Sequence, residues 1–180
     1  KKNNLSIFYF DIINDSMLFI YNNSRKKHNI FYISCLFIMV YFSKNKKATK
    51  ILAPSKLFNA YGALSGLAYS QAMTEIDMVH IIDDFVKAAI NLKSIGFDAV
   101  EIHMGHGYLL SQFLSPWTNK RKDEYGGNIE NRVRFPLAVL KNVISKVGND
   151  FPVLVKLNLS DGFKGGFTLE ECKYVAKRLE

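Results

Sequence analysis

Cysteine is scarce in the 180-residue chain, with Cys35 and Cys172 the only two. That count excludes a disulfide framework and a cysteine-based zinc site, and makes a reducing, cytoplasmic setting the default. Long apolar runs are missing as well. The strongest, NIFYISCLFIMVYF at 29–42, is shorter than the roughly 18 to 20 residues a spanning helix needs. It also starts too late for a signal peptide and is followed by no small-residue cleavage site. A buried or interfacial helix is one alternative for it, and a membrane-spanning role is disfavoured. Glycine and glutamate are absent from residues 1–50, which hold one alanine, Ala48, yet ten of the chain's twenty-four aromatics. This first segment, rich in aromatics, Lys and Asn, has the character of translated AT-rich DNA and is assigned no chemistry.

Charge divides at the same place. Residues 1–50 carry nine Lys/Arg against Asp11 and Asp15, a balance of 9 − 2 = +7, and residues 51–180 carry fifteen against fourteen, or +1. The net charge of +8 therefore belongs to the first segment, and a nucleic-acid partner, the usual inference from a basic chain, is not expected. The domain organisation follows: 1–50 is a low-complexity segment of unassigned structure, and 51–180 is a domain.

Within 51–180 the pattern alternates between helix and strand. Thr74 with Asp77 forms a weak capping box, and Val79, Ile82, Phe85, Val86, Ala89 and Leu92 follow at helical spacing, with Gly96 as the stop. FDAVEIH at 97–103 has the β-rich, Gly-bounded form of a buried parallel strand. NIENRVRFPLAVLKNVISKVG then predicts a helix from Asn128 with Val133, Leu137, Leu140 and Ile144 on one face, and Pro136 predicts an irregular start. FPVLVKLNL is the next strand, and TLEECKYVAKRLE starts another helix. The order implies parallel strands joined by crossovers.

Such folds collect function at the carboxyl ends of their strands. EIHMGHGYLLSQFLSP at 101–116 puts His103, His106 and Tyr108 at one such end, and Lys156 lies near the other. Two imidazoles can hydrogen-bond one carbonyl or anionic oxygen, and a tyrosine hydroxyl can protonate a carbon becoming carbanionic. Lys156 could stabilise developing negative charge or form a Schiff base, as in a barrel aldolase. Each residue alone has a plainer reading: a packed histidine, a rim aromatic, a paired lysine. The His-x-x-His spacing does not match a helical zinc pair and no third ligand is evident, so no metal is assigned. It is the conjunction that favours function.

GFDAVEIHMGHGYLLSQFLSPWTNKRKDEYGGNIENRVRF at 96–135 resembles the signature of the old yellow enzyme family of FMN-dependent NAD(P)H:flavin oxidoreductases and ene-reductases. FPVLVKLNLSDGFKGGFTLEE, APS at 53–55 and MTEIDMVHIIDDF at 73–85 are similar to flanking parts of the same family. The resemblance covers about residues 51–180 and implies a fragment of a TIM (β/α)8 barrel, about two β/α units. It implies FMN as cofactor, NADH or NADPH as reductant, and an activated alkene as the small-molecule substrate. His103 and His106 match the donors to the substrate carbonyl, Tyr108 the proton donor, and Lys156 the basic residue at the flavin's pyrimidine edge, where many relatives carry Arg. Asn119, Arg121, Asp123, Tyr125 and Arg132 are expected to be mainly structural.

The resemblance also leaves gaps. Only two barrel strands are recognisable, the flavin-bed strands upstream of APS have no counterpart in residues 1–50, and the phosphate loops are not matched. The alternative expectation is thus a non-catalytic barrel fragment from a truncated or misassembled gene, membrane-associated through its first segment. Self-association into a homo-oligomer is one way such a barrel could be completed.

Overall fold

The computed structural model describes residues 30–33, 51–58, 63 and 66–180. Three parallel strands form the main sheet: β1 (Ile30–Ile33), β4 (Ala99–Met104) and β5 (Val153–Leu157), in the order β1-β4-β5. Two short parallel strands, β2 (Leu52–Ala53) and β3 (Gln71–Ala72), pair separately. The helices are α1 (Glu75–Ser94), α2 (Leu109–Leu114), α3 (Ile129–Arg132), α4 (Arg134–Val147) and α5 (Leu169–Leu179).

The helix–strand alternation expected for 51–180 is present. Thr74 caps α1 as expected: its hydroxyl accepts the Asp77 N–H at 3.1 Å, and the Asp77 carboxylate accepts the Thr74 N–H at 2.9 Å. At the other end Gly96 adopts a φ of 92°, a conformation that favours glycine, just past the last turn. The buried stripe of α1 runs through Met78, Ile81, Phe85, Val86 and Ala89, and Val79 is 59% exposed. The expected stripe is therefore rotated by about one residue in its first half, because Met78 and Ile81 satisfy the same helical period as Val79 and Ile82.

The start of α4 is broken, as Pro136 predicted. α3 ends at Arg132, Val133 caps it, and α4 resumes at Arg134, placing Pro136 in a first turn where its missing N–H costs nothing. Its buried face holds Val133, Leu137 and Leu140 as expected, but Val143 and Val147 complete it and Ile144 turns outward.

Strand β1 was not anticipated. Residues 1–50 carry no structural assignment from the sequence, with a buried or interfacial helix only as an alternative for 29–42, yet Ile30–Ile33 pairs in parallel with Ala99–Ile102. IFYI consists of β-branched and aromatic residues, which suit a pleated strand, and β4 would otherwise expose an unpaired edge there. The remainder of 29–42 lies outside the described residues, and no helix among those described is long and apolar enough to cross a membrane.

The sheet has two unlike faces. Val100, Ile102 and Met104 are fully buried in the hydrophobic core, where β4 contacts α1 and α2, with Val153, Val155 and Leu157 beside them. Each such large core side chain contributes roughly 1.5 to 3 kcal/mol. Alternation turns the intervening residues, Glu101 and His103 of β4 and Leu154 and Lys156 of β5, to the opposite face.

Candidate active site at the strand ends

Register brings the candidate residues together. His103 is the direct cross-strand partner of Lys156, and both stand on the face turned away from the helices. His103 is buried at 6% exposure, and its ring lies 4.8 Å from that of His106 and 5.4 Å from that of Tyr108, centroid to centroid. His106 is exposed, and Tyr108 and Lys156 are half-buried. One imidazole is therefore set in the wall, the other is exposed and the phenol is half-buried beside them, so all four expected residues share one strand end.

The turn that carries His106 and Tyr108 has an unusual backbone. His106 has a φ of 57°, the only non-glycine residue with positive φ among those described, and Gly107 follows at 74°. For an L-residue the left-handed region costs roughly 1 to 2 kcal/mol. Hydrogen bonds of about 1 kcal/mol each oppose that cost. The His106 N–H donates to Asn158 Oδ1 at 3.1 Å, the Gly107 N–H to Ser111 Oγ at 3.3 Å, and Gln112 Nε2 to the Gly107 carbonyl at 2.7 Å. Gly105 is required for a different reason. A Cβ there would lie 2.8 Å from Asn158 Oδ1 and 3.3 Å from His103 Cε1.

Glu101 sits one pleat below His103 on the same face. Its Oε1 is buried and has no hydrogen-bond partner, and burial pushes the carboxyl from 4.5 up to about 7, opposed in part by the Lys156 ammonium. A carboxyl protonated below that point leaves the Lys156 charge unneutralised. Neither Glu101 nor Asn158 was singled out from the sequence. In sequence Glu101 belongs to an unremarkable β-run, and Asn158 lies 52 positions from His106.

Of the residues expected to be structural, Asn119, Arg121 and Arg132 tie distant backbone together. Asn119 Nδ2 bridges the Phe113 and Tyr125 carbonyls at 2.8 and 2.7 Å. Arg121 donates to the Pro54 and Met73 carbonyls at 3.0 and 2.8 Å and holds Asp123, whose carboxyl is thereby kept below the usual range. Arg132, 2% exposed, donates to the Leu114 carbonyl, the Gly127 carbonyl and the Glu171 carboxylate. A cleft of about 410 Å3 beside Arg121, lined also by Lys56, Met73 and Lys120, contains none of the four candidate residues. Among the described residues no group of three or more His, Cys, Asp or Glu could hold a metal ion.

These features define a parallel α/β unit with an imidazole, phenol and ammonium cluster at its strand ends, the position at which barrel and open-sheet enzymes alike carry their chemistry. Residues 43–179 match the sequence model of the NADH:flavin oxidoreductase / NADH oxidase family, and the chain belongs to that family. Among its relatives, an NADH oxidase of Thermoanaerobacter brockii is 44% identical over 108 residues, covering 60% of this chain and 17% of that protein. A 4,4'-dithiodibutanoate disulfide reductase of Rhodococcus erythropolis is 39% identical over 132 residues, covering 73% and 32%. The solved Old Yellow Enzyme from Pichia sp. AKU4542 superposes with a TM-score of 0.62 at 38% identity, covering 70% of this chain and 36% of that structure. The chain thus spans about a third or less of the length of these two curated relatives.

Proposed function

We propose that the chain is part of a (β/α)8-barrel FMN-dependent oxidoreductase that passes hydride from NADH or NADPH to an activated alkene. The observation that carries this reading is the convergence of His103, His106 and Tyr108 on one strand end, with Lys156 across from His103 in the sheet. Family membership supplies the cofactor class. The residues present suit it, because a half-buried ammonium beside a carboxyl that stays protonated below about pH 7 favours a group with an anionic edge.

A bound FMN, held in part by Lys156, would supply the hydride chemistry that links the nicotinamide to the β-carbon of the alkene. The chain's own residues do the rest. His103 and His106 hold the acceptor's carbonyl oxygen by hydrogen bonds, which stabilise the negative charge that develops there. Tyr108 gives its hydroxyl proton to the α-carbon, and Lys156 holds positive charge at the pyrimidine edge of the flavin. Small molecules are accordingly the expected partners.

The test is a titration of the full chain with FMN, followed by flavin fluorescence. Saturable binding that weakens in Lys156→Met is the expected result. A folded sample that binds no FMN would overturn the reading and favour a non-catalytic role.

A further inference from the structure

The loop that follows β5 is fastened onto the turn that follows β4. Asn158 comes directly after the last residue of β5, Leu157, and two residues after Lys156. Further along, Asp161 accepts the Ser115 hydroxyl at 2.6 Å and the Phe167 N–H at 2.7 Å, and Phe163 meets Trp117 edge-on with ring centroids 5.5 Å apart. The backbone that carries Asn158 is therefore held on both sides, by β5 before it and by the Asp161 contacts after it.

We infer that Asn158 is a positioning residue that fixes His106 in its left-handed conformation and so sets where the second imidazole stands. The inference rests on the proposed role of His106 toward the acceptor's carbonyl. Three observations meet at the carboxamide oxygen. It accepts the N–H of the one described non-glycine residue with positive φ; it lies 2.8 Å from where a Cβ on Gly105 would stand; and that same Cβ would crowd the His103 ring at 3.3 Å. With its N–H held on Asn158, an extended or helical His106 would swing the imidazole off the 4.8 Å approach to His103. Lys156 and Asn158 leave the same strand end, so the group facing the flavin and the group steadying His106 share one rigid support.

Only the acceptor is needed for this task, which separates the role from simple space-filling. Asn158→Asp keeps an oxygen in place, whereas Asn158→Leu keeps the volume and removes it. In the 15N-labelled full chain, the His106 amide of Asn158→Leu should exchange about fivefold faster, the factor expected for one hydrogen bond of ordinary net strength. Asn158→Asp should retain protection. With FMN and NAD(P)H present, Asn158→Leu should lower kcat/KM for alkene reduction by about tenfold or more, the scale of a misplaced binding group. The rate of flavin reduction should change little, and Asn158→Asp should recover part of the loss.

Unchanged exchange at His106 in Asn158→Leu would overturn the inference, as would faster exchange with unaltered alkene kinetics. Gly105→Ala offers an independent check, since its methyl should displace the carboxamide and speed His106 exchange even with Asn158 intact. If the wild-type chain reduces no alkene, the proposed function fails. The exchange arms still decide, on their own, whether Asn158 fixes the turn.

Discussion

Glu101→Gln should change how the stability of the protein responds to pH. In the unfolded chain this carboxyl ionises at 4.5, and in the folded chain at about 7. Below 4.5 both states hold the proton and the group contributes no pH dependence. As pH rises from 4.5, the unfolded chain releases a proton that the folded chain keeps, so stability falls until about pH 7 and then levels off. At 1.36 kcal/mol per pH unit the full gap would correspond to roughly 3 kcal/mol. The side chain is half-buried, so solvent screening reduces this to about 2 kcal/mol. Glutamine has the same shape and no charge to bury. Asp123 and Asp150, each held below the usual carboxylate range by Arg121 and Lys93, contribute the opposite slope at lower pH in both proteins and cancel in the difference. Urea unfolding of wild type and Glu101→Gln from pH 4 to 9 therefore yields a difference curve in which the variant gains about 2 kcal/mol between 4.5 and 7. Adding Lys156→Met should extend the upper end of that window, because the ammonium lowers the folded carboxyl's pKa. A flat difference curve would show that Glu101 is not buried as described.

Tyr108→Phe should slow alkene reduction by about 100-fold or more, the usual contribution of a positioned acid, while flavin reduction by NAD(P)H stays within about twofold. Stopped-flow measurement of the two half-reactions checks this, and equal loss in both would remove Tyr108 from the proton-donor role. Arg132→Leu should cost about 3 to 5 kcal/mol in urea unfolding, because it leaves Glu171 and two carbonyls without their partner. A loss under about 1 kcal/mol would mean that water replaces the guanidinium there.

Local signals carried much of the fold. The start of α1 is legible because Thr74 and Asp77 satisfy each other's backbone within three residues, and the break before α4 because Pro136 cannot join an uninterrupted helix. Face assignments were weaker: Met78 and Val79 compete for the same stripe, and tertiary packing alone selects Met78. β1 could not be read at all, since IFYI becomes a strand through pairing with residues some seventy positions away. The candidate site divides in the same way. His103, His106 and Tyr108 are adjacent in sequence, whereas Glu101 and Asn158 acquire their significance only from the β4–β5 register and from an oxygen delivered across 52 positions.

The Arg132 guanidinium has a mechanical consequence. It joins the last carbonyl of α2 to Glu171, the residue whose carboxylate also closes the capping box at the start of α5. α5 itself buries Cys172 and Val175. Here, peeling back its first turn strips a nearly fully buried cation of its counter-charge, so the opening is coupled to loosening of the segment that leads from Tyr108 toward the loop at Trp117. One guanidinium thus ties the packing of α5 to the segment that carries the site.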